Sequence, residues 1–331
     1  MSDVTLMASQ IEPKNVLASV SQFDFISISE LFMSQQNTTK GVLCALGAYF
    51  IWGVAPIYFK TIKEVPAEEI LTHRIIWSFF FMLILLTLSR HWSYFRQVLK
   101  QPKKILVLGV TAVTIASNWL IYIWAVNNGH MLQASLGYFI NPLVNVLFGM
   151  LFLHERFRRM QWVAVALALT GVLIQLWQFG SIPIIGLSLA VTFATYGLLR
   201  KKLGVDAQTG MTFETLWLLP VGVIFLLFFA DSPTSNMTMN SWTLNLLLIA
   251  AGIITTIPLL LFTEAANHLR LSTLGFFQYL GPSIMFLLAV FMYGEVMTQE
   301  LLITFGFIWV ALILFTLDAL YTQQKLRRKQ H

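Results

Sequence analysis

The sequence predicts an all-α integral membrane protein with ten transmembrane helices arranged as two inverted five-helix repeats. Three observations predict it. The 331 residues are 57% hydrophobic and only 11% charged, whereas a soluble domain carries about a quarter charged residues. Apolar stretches of membrane-crossing length recur between short polar gaps. Two regions also match at an offset of 140 positions. Pro142 and Glu155 lie 13 apart, as do Pro282 and Glu295, and Ala125 and Asn127 fall on Ala265 and Asn267.

A helix needs roughly 20 apolar residues to cross the hydrocarbon core. Ten segments qualify, at about 41–60, 69–89, 105–126, 132–153, 160–178, 182–199, 212–230, 242–262, 272–293 and 299–320. The gaps carry turn or charge signals, as in Gln101-Pro102-Lys103-Lys104 and Asp231-Ser232-Pro233, and none is long enough to fold as a domain. The first repeat covers 41–178 and the second 182–320, followed by a basic tail at 321–331. Residues 1–40 form a polar tail without a signal-peptide pattern. Met33 offers a second start, which would leave residues 1–32 untranslated.

Lys and Arg placement sets orientation. With the N-terminus inside, the inner segments hold 18 basic residues, counting Arg200, Lys201 and Lys202, and the outer segments hold Lys60 and Lys63. Both termini are therefore expected in the cytoplasm. The net charge of +6 then reflects topology and the anionic inner leaflet, and no nucleic-acid partner is implied. The lone Cys44 excludes a disulfide framework within one chain. No Walker loop, zinc motif or nucleophile-base set is present, so no cofactor and no metal are expected.

Five helices per half is an odd number, so the second half starts on the opposite side and the repeats are inverted. In such folds the substrate site lies near the midplane between the halves. One stripe on the fourth helix carries Ser135, Tyr138, Pro142, Asn145 and Gly149. The ninth carries Gly275, Gln278, Pro282, Met285 and Ala289 at the same steps. Small and polar residues suit a protein- or cavity-facing surface, and each proline frees a carbonyl one turn back. These prolines either shape a moving pathway or only kink the helices for packing. Tyr49, Trp52 and Gly53 on the first helix parallel Phe193, Tyr196 and Gly197 on the sixth. That aromatic face suits a flat organic solute, an interfacial belt, or plain packing.

Arg74 is the most costly residue at membrane depth, at ~2.5–3.5 kcal/mol even on the gentler insertion scale. It is either a fixed charge in an outer vestibule or an interfacial arginine paired with Glu68 or Glu69. Its counterpart at offset 140 is Glu214. Glu214, Glu264 and His73 are the candidates for a coupled proton. Each also has a plain structural alternative, for Glu264 an interface contact near Arg270. Asn118 and Tyr122 share a face of the third helix as a donor-acceptor patch or a helix-helix contact. Glu155 and Glu295 are expected to cap or staple the halves.

These features resemble the EamA-type branch of the drug/metabolite transporter superfamily. In that branch each half carries a mid-helix proline, a glutamate at the helix end and a final apolar helix. The RarD subfamily is closer, through Ala48-Tyr49-Phe50-Ile51-Trp52-Gly53, Glu69-Ile70-Leu71-Thr72-His73-Arg74, Ala134 to Pro142, and Ser272 to Tyr279. The similarity covers about 41–322. It implies a multi-pass permease of the bacterial cytoplasmic (inner) membrane, not an enzyme. Its partners would be the lipid bilayer and a small-molecule substrate, a metabolite or an amphipathic drug. The expected function is secondary-active export by alternating access. The alternatives are a channel or scaffold without alternating access, or an intramembrane enzyme. Oligomeric state is left open.

Overall fold

A computed structural model describes residues 38–128, 130–292, 294 and 299–328. Met33 and Glu295 lie outside them. The described residues contain helices and no strand, and ten of these helices are long and apolar enough to cross a membrane. In chain order, α1 is Thr38–Thr61 and α2 is Ala67–Leu88. The short α3 is Trp92–Leu99, followed by α4 at Pro102–Asn127 and α5 at Met131–Leu153. Next come α6 at Arg159–Phe179, α7 at Ile184–Leu203, α8 at Ala207–Phe228 and α9 at Trp242–His268. The chain continues with α10 at Leu271–Gln278, α11 at Leu280–Phe291 and α12 at Gln299–Arg328.

The ends follow local chemistry. Gly180 and Gly204 close α6 and α7 with φ of +74° and +61°, the left-handed cap that glycine adopts without a Cβ penalty. Asp206 and Ser241 open α8 and α9 by accepting from the backbone N–H of Thr209 at 2.9 Å and of Leu244 at 3.2 Å. The ninth span differs from the sequence expectation of one continuous helix, because it breaks at Tyr279 into α10 and α11. Pro282 has no N–H to offer the carbonyl of Gln278 and its ring crowds that carbonyl. Pro142, at the matching position, stays within a continuous α5.

Helices at equivalent positions in the two halves pack against each other: α2 on α8, α5 on α10, and α6 on α12. Further contacts place α9 on α2, and α7 on α4 and α5. The backbones approach closely where glycine allows it. A Cβ on Gly252 would lie 2.6 Å from Trp77 on α2, and one on Gly186 would lie 2.6 Å from the Gln133 carbonyl on α5. Such small-residue crossings are how helices associate when lipid competes for apolar surface. Leu173, Trp177, Leu227, Phe228 and other apolar side chains face outward.

Arg200, counted with the basic inner segments, lies in the last turn of α7 beside Lys201 and Lys202 and is fully buried. Its ionic partner is Glu214 on α8.

Candidate functional site

A cavity of about 930 Å³ lies between the halves. Its mouth is formed by Lys60, Lys63, Glu64 and Glu68 at the α1–α2 turn. Its walls come from α1, α2, α4, α5, α7, α9, α10 and α11. The volume is at the upper end of the usual range for small-molecule sites, about 300–1,000 Å³. Eight of the pathway candidates line it, Tyr49, Trp52, Arg74, Asn118, Tyr122, Tyr138, Gln278 and Pro282, and so do Phe193, Met285 and Ala289 of the matched faces. The carbonyls that Pro142 and Pro282 leave without a helical donor belong to Tyr138 and Gln278, both on this wall.

Arg74 reaches into the cavity from α2. Its Nε–H donates to Thr255 Oγ1 on α9 at 2.9 Å. Its guanidinium carbon sits 4.7 Å from the Trp119 ring centroid and 5.8 Å from that of Phe59, within cation–π range. The alternative pairing with Glu69 is not made: Glu69 is buried and accepts from Thr234 Oγ1 at 2.9 Å. Asn118 donates from Nδ2 to the Leu189 carbonyl and to Thr192 Oγ1, both at 2.8 Å, which ties α4 to α7. Tyr122 and Tyr138 meet edge to face with centroids 6.2 Å apart.

The remaining sequence candidates lie off the wall. Pro142 and Asn145 sit below the cavity, where α5 meets α10. Asn145 Nδ2 donates to Gln278 Oε1 at 2.9 Å, and a Cβ on Gly275 would lie 2.8 Å from the Pro142 carbonyl. The two matched stripes thus face each other and seal the floor. His73 is 1% exposed and turns away from the cavity, accepting at Nδ1 from Trp77 Nε1 at 3.3 Å. Its position one residue before Arg74 puts it about 100° around α2. Tyr196 is fully buried, and its ring stacks on Phe262 with centroids 6.1 Å apart.

Phe262 is central to the aromatic floor and carried no signal of its own. Its ring lies 6.4 Å from Tyr49, 5.9 Å from Trp52 and 5.1 Å from Phe193. Trp119, Phe59, Asn141 and Thr255 are further wall residues that sequence reasoning missed. The Thr255-Thr256 pair, polar within an apolar helix, was a usable signal for Thr255.

Glu214 does not reach the cavity wall. It pairs at 3.6 Å with Arg200 Nε in a site with almost no exposure. Its carboxylate also accepts from Thr111 Oγ1 at 2.7 Å and Tyr196 OH at 3.2 Å. A Cβ on Gly210 would overlap the Arg200 guanidinium, so only glycine leaves room for this arginine.

The end of the bundle opposite the mouth is closed by ties between the halves. Glu155 accepts from the backbone N–H of Leu271 at 2.7 Å and of Ser272 at 3.0 Å, and from the Ser272 hydroxyl. Its carboxylate therefore caps the first turn of α10, where the helix dipole favours an anion. Within the second half, Lys201 adds a tie between α7 and the end of α9 by donating to the Ala266 and Leu269 carbonyls. Arg158 pairs with Asp318 at 2.6 Å. Lys40 pairs with Glu264, which also meets His268 at 3.1 Å, so Glu264 belongs to this end and not to the cavity.

Residues 39–177 match the model of the EamA-like transporter family. Protein RarD of Salmonella typhimurium is 66% identical over 293 residues, covering 88% of this chain and 100% of that protein. Protein RarD of Escherichia coli K12 is 64% identical, over 88% and 99% of the two chains. A solved crystal structure shares the fold with a TM-score of 0.66 at 20% identity, covering 84% of this chain and 98% of its own. The fold and these matches define a membrane transporter, and the chain belongs to the EamA-like transporter family, in its RarD subfamily.

Proposed function

We propose that this transporter is a secondary-active permease. It exports a small organic metabolite or amphipathic drug across the bacterial cytoplasmic membrane by alternating access. The observation that carries the reading is a cavity bounded by helices from both halves, lined at one end by the charged α1–α2 turn, with ties between the halves at the opposite end that make it read as blind there. A blind cavity supports a carrier over a continuous pore. The pairing of α2 with α8, α5 with α10 and α6 with α12 supports two repeats, 41–178 and 182–320, related by an axis in the membrane plane. Each half could then take up the other's arrangement and open the closed end. With both termini cytoplasmic, as the basic residues suggest, the arrangement described is open to the outside.

No segment of this sequence reads as an ATPase, so the driving force is the solute gradient, a coupled ion or a partner subunit. Of the proton candidates, Glu214 fits this role best, because it is buried and accepts from Thr111 in the other half. Glu264 is engaged at the closed end, and His73 faces away from the cavity.

The reading is tested with single cysteines in a Cys44→Ser background. Ala289→Cys lines the cavity, and Leu153→Cys lies at the closed end of α5. In proteoliposomes, Ala289→Cys should react with an impermeant maleimide from the mouth side and Leu153→Cys should be protected. Conditions that drive turnover should reverse both. Reactivity of each site fixed under all conditions would count against alternating access.

A further inference from the structure

The charges on the cavity wall are unevenly placed. Two lysines and two glutamates at the mouth, Lys60, Lys63, Glu64 and Glu68, offset one another in sign. Lys60 and Glu68 sit at the very ends of their spans, and among the described lining residues Arg74 is the one charged side chain set deeper in a span. Among the described residues no carboxylate lies within 4.0 Å of its guanidinium. Its Nε donates to a neutral hydroxyl, and its flat face rests on Trp119. The polar groups facing it across the cavity, Tyr122, Tyr138, Asn141 and Gln278, are neutral. A half-buried guanidinium with a neutral surround carries a desolvation cost that an incoming anion relieves, and a planar fork of donors matches a carboxylate.

We propose that the cavity takes a small aromatic monocarboxylate, with its carboxylate on Arg74 and its ring among Trp52, Trp119 and Phe193. The inference rests on the cavity being the transporter's substrate site and names the substrate class for it. The same geometry disfavours ammonium compounds, which would add a second cation beside Arg74. It also disfavours zwitterionic amino acids, whose ammonium meets no acid among the described wall residues inward of the mouth. The tryptophan and phenylalanine surfaces supply the apolar contact, and the arginine fixes which end of the solute points toward α2.

The test uses the full chain in nanodiscs and ligand-observed NMR titration with three isosteric probes: phenylacetate, phenylacetamide and phenethylamine. Phenylacetate should bind at least about tenfold tighter than phenethylamine, the scale of a charge-assisted hydrogen bond. Arg74→Gln should remove that preference while phenylacetamide still binds, which also shows that the site is folded. Arg74→Lys should keep much of it. Equal affinity for carboxylate and amine overturns the proposal. So does a preference that survives Arg74→Gln, or the absence of saturable binding by any probe. Cysteine accessibility that switches sides alongside any of these results leaves the transport reading standing and removes only the substrate class.

Discussion

Glu155→Gln opens the closed end of the bundle. The native carboxylate accepts from two backbone N–H groups and a hydroxyl at the start of α10, and its charge faces the positive end of that helix. The amide keeps the shape, loses the charge, and has one oxygen to divide among these donors. Charge-assisted hydrogen bonds contribute roughly 1.5–3 kcal/mol, which corresponds to a shift of about 10- to 150-fold in the closed-to-open equilibrium. Lys201, Arg158 and Lys40 still tie the same end, so the lower part of that range is expected. The measurement is the modification rate of Leu153→Cys, which should rise at least about tenfold in the Glu155→Gln background. An unchanged rate would mean that Glu155 does not hold the end shut.

Arg200→Met produces the largest loss of stability of any single change considered. The guanidinium has no exposure and lies 3.6 Å from Glu214. Removing it leaves the Glu214 carboxylate buried with only Thr111 and Tyr196 as donors. Breaking one side of a buried pair typically costs about 3–5 kcal/mol. Arg200 Nε and Nη1 find no hydrogen-bond partner among the protein's described atoms, so the pair itself is incompletely satisfied. An apolar replacement of both partners should therefore be tolerated. Thermal unfolding in detergent should show a large fall for Arg200→Met and recovery of most of it in Arg200→Met/Glu214→Leu. Equal destabilisation by the single and double changes would show that packing volume, not the unpaired charge, sets the cost.

The spans were legible because membrane-crossing length and apolar composition are properties of consecutive residues. The offset of 140 was legible because matched prolines sit at matched depths. The break at Tyr279 was half legible. Pro282 signalled a lost bond, but Pro142 carries the same loss inside an unbroken helix, so tertiary surroundings decide whether the chain gives way. The burial of Arg200 was not legible, because a basic run at a helix end gives its side of the membrane but not the partner on another helix that draws one member inward. His73 falls off the cavity wall although Arg74 lies on it, since adjacent helical residues point in different directions. Phe262 and Trp119 gave no signal because an aromatic in an apolar helix looks the same whether it faces lipid, core or cavity. Glu155 was read as a staple, and its carboxylate bridges the first half to α10.

The central claim is that the second half is inverted relative to the first. Its most direct test labels Arg156→Cys, after α5, and Gln299→Cys, at the start of α12, with an impermeant reagent applied to either side of oriented vesicles. Inverted repeats place the two labels on opposite faces of the membrane, the first on the cytoplasmic face. Labelling of both positions from the same face would contradict the account.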